Sequence, residues 1–97
     1  MATYITLASF TDQGIRGVHD TTKRAEAVKE AAKKFGVTMK DIHWTLGAHD
    51  MVVTFEAPDD ASMTALGLTI GKAGNVRTQT MRAFSSEEMA KILAKVA

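Results

Sequence analysis

The chain has 97 residues, 45% hydrophobic and 24% charged, with a formal net charge of +1 and no cysteine. A length of this order holds one domain, residues 1–97, and the composition is that of a folded chain rather than a disordered one. Interspersed acids and bases leave no basic face for nucleic acid or an anionic membrane, and the lack of thiols excludes disulfides and thiolate metal sites.

Tyr4 to Phe10 (YITLASF) alternates between two faces and predicts a strand. TDQGIRGVHD, with two glycines and several polar side chains, reads as a loop with room for a helical turn. From Thr22 to Phe35, Ala25, Val28, Ala32 and Phe35 recur three and four apart, one stripe of an amphipathic helix that Gly36 ends. Lys40 to Leu46 alternates again, and the Gly47-Ala48-His49 bend leads into a strand from Asp50 to Glu56, making a β-hairpin. Pro58 stops that strand, and Asp59 or Asp60 can cap a second helix whose stripe is Met63, Leu66, Ile70 and Ala73. Asn75 to Phe84 is a long, polar fourth strand. Ser85 with Glu88 is a capping box, opening a last helix with Met89, Ile92, Leu93 and Val96 on one stripe. The order β-α-β-β-α-β-α is the split βαβ, ferredoxin-like arrangement of an α+β domain with a helix appended.

Both main helices then cover one face of a four-stranded antiparallel sheet. The most apolar set, Ile5, Leu7, Met51, Val53 and Phe55, is assigned to that side, which leaves Tyr4, Thr6, Ala8, Phe10, Val52 and Thr54 on the open side. Such a face needs a cover, and a second copy packed about a two-fold axis supplies one.

His49 and Asp50 are neighbours on an extended chain and point to opposite faces, which disfavours a triad-type pair. Asp50 at a hairpin end suits turn amides as well as proton transfer. His43 lies mid-strand opposite Ile42 and Trp44, facing either a covered cavity or solvent. His19, His43 and His49 show no metal-ligand spacing, so no metal is expected. Arg77 and Arg82 flank Thr78, Gln79 and Thr80, where guanidiniums can hold a carboxylate or phosphate, or an acid across a subunit contact. RNA recognition motifs share this topology, but DMVVTFE lacks their basic-glycine-aromatic start, so nucleic acid is not an expected partner.

FTDQGIR, TKRAEAVKEAAKKFGV, WTLGAHDMVVTFEAPDD and GNVRTQTMRAFSSEEM, in that order over nearly the whole chain, resemble the GYD domain family. The resemblance implies a dimeric α+β barrel, in which ferredoxin-like units face each other through their sheets. The family's Gly-Tyr-Asp signature falls at the hairpin, where this chain has Gly47-Ala48-His49-Asp50 with histidine in the tyrosine's place. The resemblance implies neither a reaction nor a cofactor.

The expectation is a homodimer or higher homo-oligomer that binds a small polar or aromatic molecule in a cleft between sheet and helices or at the dimer seam. Thr11, Gln13, His49, Asp50, Arg77 and Thr78, polar and near strand ends, are the expected ligand contacts. His43, His49 and Asp50 are the candidates for proton transfer should the chain be a cofactor-free monooxygenase or isomerase. A non-enzymatic regulatory or scaffold module is the other alternative. MATYITLASF lacks the basic start and long apolar run of a signal peptide, and no stretch is long enough to cross a bilayer, so the expected location is the cytoplasm.

Overall fold

A computed structural model describes residues 1–97. Its elements are β1 (Ala2–Phe10), a short helix α1 (Asp12–Arg16), a 3-10 turn (Val18–Asp20), α2 (Thr21–Lys33), β2 (Thr38–Trp44), β3 (Met51–Ala57), α3 (Asp60–Lys72), β4 (Val76–Ala83) and α4 (Ser86–Leu93). The strands pair in the order β2-β3-β1-β4, each neighbour antiparallel, as the split βαβ reading requires. No helix is long and apolar enough to cross a membrane.

Local signals account for most boundaries. The TDQGIRGVHD segment coils into α1 and the turn because the Thr11 hydroxyl accepts from Gly14 N at 3.0 Å and caps the helix. At the end of α2, Gly36 N donates to Lys33 O at 3.1 Å and Val37 N to Ala32 O at 3.0 Å, with Gly36 at φ 71°. This pairing closes the helix through a left-handed glycine and drives Val37 into the core. Asp59, not Asp60, caps α3, accepting from Ser62 N at 2.8 Å. The capping box of α4 forms in both directions, Glu88 N to Ser85 Oγ at 3.1 Å and Ser85 N to Glu88 Oε1 at 2.9 Å. β2 runs out at Trp44, so Leu46 sits fully exposed in the bend rather than on a strand face.

The core lies between one sheet face and α2 and α3. It joins Tyr4, Val53, Phe55 and Ala57 from the central strands to Ala32 of α2 and Met63 and Leu66 of α3. This corrects the face assignment of β1. Tyr4, Thr6 and Ala8 are buried under the helices, whereas Ile5 and Leu7 are half-buried on the open face. The pairs Tyr4↔Phe55, Thr6↔Val53 and Ala8↔Met51 explain it, since directly opposite residues share a face. Inward Tyr4 and Thr6 leave no buried polar atom unsatisfied, because the Tyr4 hydroxyl donates to Asp60 and the Thr6 and Thr80 hydroxyls pair at 2.9 Å.

The open face consequently carries Ile5, Leu7, Val52 and Met81 at its centre, ringed by Thr54, Gln79, Arg77 and His43. It is more apolar than the set first assigned to it. The molecule measures 51 × 31 × 18 Å, and α4, which ends at Leu93 short of the expected Val96, leaves Met89 and Leu93 exposed on its stripe.

Candidate functional site

Small side chains face one another across the core. Toward the cavity α2 carries Ala25, Ala27 and Ala31, and β1 answers with Thr6 and Ala8. Alanine opposite threonine and alanine does not fill the space between helix and sheet. A cavity of about 290 Å³ results, walled by all four strands together with α2 and α3 and open on one side. Of its 21 lining residues 15 are hydrophobic, with Phe55, Leu66, Val28 and Ile70 among them. Its size lies at the lower edge of small-molecule sites, which run from roughly 300 to 1,000 Å³.

The polar lining residues are Thr6, Thr21, Arg24, Thr69, Asn75 and Thr78. Most are committed to partners within the chain. Thr6 pairs with Thr80, Thr69 donates to Ala65 O at 2.8 Å, and Thr21 accepts from Trp44 Nε1 at 3.0 Å. Asn75 Oδ1 accepts from Gln13 Nε2 at 3.0 Å. Arg24, half-buried near the start of α2, donates from Nη1 to Gly14 O at 3.0 Å and from Nη2 to Gly17 O at 2.7 Å. No carboxylate lines the cavity.

Of the expected ligand contacts, only Thr78 lines this cavity. Thr11 and Gln13 frame its end: Thr11 N donates to Asn75 O at 3.1 Å, and Gln13 Nε2 donates to Ala73 O at 3.2 Å as well as to Asn75. Gly14 lets α1 reach this junction, for a Cβ there would lie 1.8 Å from Asn75 O. Asp50 ties the hairpin to the end of β1, its Oδ2 accepting from Phe10 N at 2.8 Å and its own N donating to Ala8 O at 2.8 Å. His49 supplies its carbonyl to Thr45 Oγ1 at 2.6 Å. Arg77 and His43 belong to the open face, paired in register with Ser9 and Val52. His43 Nδ1 is 3.9 Å from Asp41 Oδ1 with both side chains exposed, the arrangement of a surface pair. These residues therefore divide among the cavity and its rim, the hairpin bend and the uncovered sheet face.

A second, more polar cleft lies between α3 and β4, where Tyr4, Asp60, Thr78, Thr80 and Arg82 meet. The hydrogen bond to Asp60, then burial and the Asp60 charge, raise the Tyr4 phenol above its ordinary pKa. The Arg82 guanidinium stands over the Tyr4 and Phe84 rings, 5.7 and 4.5 Å from their centroids, and 3.6 Å from Glu88. Sequence reading passed over Tyr4, Asp60 and Arg24. The usable signal was the alanine-threonine complementarity of α2 and β1, together with an arginine standing four and seven residues before Val28 and Ala31.

A family model, GYD domain, matches residues 4–93. The crystal structure of TTHA0845 from Thermus thermophilus superposes with a TM-score of 0.58 at 20% identity, covering 89% of this chain and 96% of that one. At that identity the likeness speaks for the fold. No curated protein matches the sequence at a significant level.

Proposed function

The chain belongs to the GYD domain family, and from that footing we propose that it is a small homo-oligomeric α+β-barrel protein that binds a small molecule in the cleft between its sheet and helices. The observation that carries the reading is the cavity of about 290 Å³, mostly apolar and open on one side. An apolar concavity under two helices with a few polar groups converging on it is the usual form of a small-molecule site, which supports an occupant. Self-association rests on the open face, where Ile5, Leu7, Val52 and Met81 form an apolar centre with a polar surround. Pairing two such faces about a two-fold axis would bury that centre and bring His43 and Arg77 of each copy to the seam. The cytoplasm is the proposed location.

Native mass spectrometry of the protein purified from its own host tests both parts at once. A dimer or higher oligomer carrying a retained small molecule is the expected result. A bare monomer at micromolar concentration would remove the barrel and the ligand together. A second reading, a scaffold module without a ligand, is favoured by the exposed stripe of α4, which offers contact surface unrelated to the cavity. Bare oligomers from the same experiment, with no small molecule binding on titration, would select it.

A further inference from the structure

We propose that Arg24 makes the cavity selective for apolar monocarboxylates, with the carboxylate against its guanidinium and the hydrocarbon body reaching toward Phe55 and Leu66. The proposal rests on the small-molecule reading above and adds a chemical class to it.

Arg24 is the only charged residue among the 21 that line the cavity. It stands four and seven positions before Val28 and Ala31, which line the cavity with it, so the three share one face of α2. A half-buried cation is normally matched by an acid. Here the acceptors are two neutral carbonyls, Gly14 O and Gly17 O, and Arg24 takes part in no ion pair. A guanidinium carries five N–H donors, so two carbonyls leave donors over for a ligand.

The same carbonyls fix its orientation. The Nη2 atom lies so close over Gly17 that a Cβ there would come within 2.4 Å of it. A guanidinium already held by the loop loses little rotamer freedom when a carboxylate arrives, which favours binding. The remaining wall is apolar and gives the rest of such a ligand its burial. An engineered apolar void of about 150 Å³ takes benzene, so the larger volume here suits a fused-ring or medium-chain body. A neutral apolar ligand would leave the guanidinium donors to water, and a cationic one would be repelled.

Calorimetric titration of the purified protein with 1-naphthoate and with its neutral counterpart 1-naphthalenemethanol tests this. The acid should bind at least about tenfold tighter than the alcohol, the scale of one charge-assisted hydrogen-bonded pair. Arg24→Gln should erase that preference while alcohol affinity stays within about twofold, because the apolar wall contributes equally to both ligands. A strap role for Arg24 alone would instead weaken acid and alcohol together. Raising the salt concentration checks the proposal without a variant, weakening the acid several-fold and leaving the alcohol unchanged. Equal binding of acid and alcohol by the unaltered protein, a preference that survives Arg24→Gln, or an acid affinity indifferent to salt overturns the proposal alone. Failure of both compounds to bind overturns it together with the reading it rests on.

Discussion

Replacing Gly14 with alanine sets two effects of opposite sign against each other. Gly14 lies inside α1, and helix propensity alone favours alanine over glycine by about 0.8–1.0 kcal/mol. Against this, the new Cβ would lie 1.8 Å from Asn75 O, where real contacts stay beyond 3.0 Å. Both sides of the contact are backbone, so no rotamer change relieves it, and α1 must back away from the α3–β4 junction by more than about 1 Å. That displacement breaks the Thr11 N to Asn75 O bond and the Gln13 to Asn75 bond, and strains the Thr11 hydroxyl bond to Gly74 O. At about 1 kcal/mol for each of these bonds the loss is roughly 2–4 kcal/mol. The propensity gain offsets part of it, leaving a net destabilisation of about 1–3 kcal/mol. Urea unfolding followed by circular dichroism measures it as a lower midpoint at unchanged slope. A Gly14→Ala protein as stable as the parent, or more so, would refute the close approach of α1 and Asn75.

On the proposed sheet-to-sheet assembly, Leu7→Glu on the open face should shift sedimentation from an oligomer to a monomer while far-ultraviolet dichroism stays unchanged, since Leu7 lies outside the buried core. Asp59 caps α3, and its hydrogen bonds to Ser62 hold its carboxyl below the ordinary range. A depressed pKa adds stability above the unfolded-state value and loses it as pH falls through the folded-state one, so thermal stability should drop below about pH 4. Asp59→Ala should lower the melting temperature at neutral pH by about 5 °C and flatten that acid limb, read by scanning calorimetry. Tyr4 has the opposite sign: with its phenol raised by Asp60, its contribution is complete below about pH 10 and fades as pH climbs past the folded-state value. Tyr4→Phe should remove that alkaline decline, measured by urea midpoints from pH 9 to pH 11.

Element types and their order were legible because each rests on signals within one segment. Ser85 and Glu88 announce the start of α4 from three residues apart, and Gly36 announces the end of α2. The side on which β1 faces was not legible. Alternation defines two faces but does not label them, and ranking them by hydrophobicity put Ile5 and Leu7 inside. Their apolar character fits the open face, while Tyr4 and Thr6 go inward because Asp60 and Thr80 wait there, 56 and 74 residues away in sequence. The cavity was hidden for a related reason. It arises from small residues on α2 and β1 that come together only through the sheet register, and Arg24 looked like one more charge on a basic helix.

The hairpin bend distributes its work unevenly between neighbours. Position 49 contributes a main-chain carbonyl, which every amino acid possesses, whereas position 50 contributes a carboxylate oxygen that reaches across to Phe10 N. A library randomised at both codons and selected for folded protein should therefore return nearly any residue at the first and aspartate at the second. The altered letter of the signature and the retained one are thus under different obligations: one keeps a side chain in service, and the other only a peptide group.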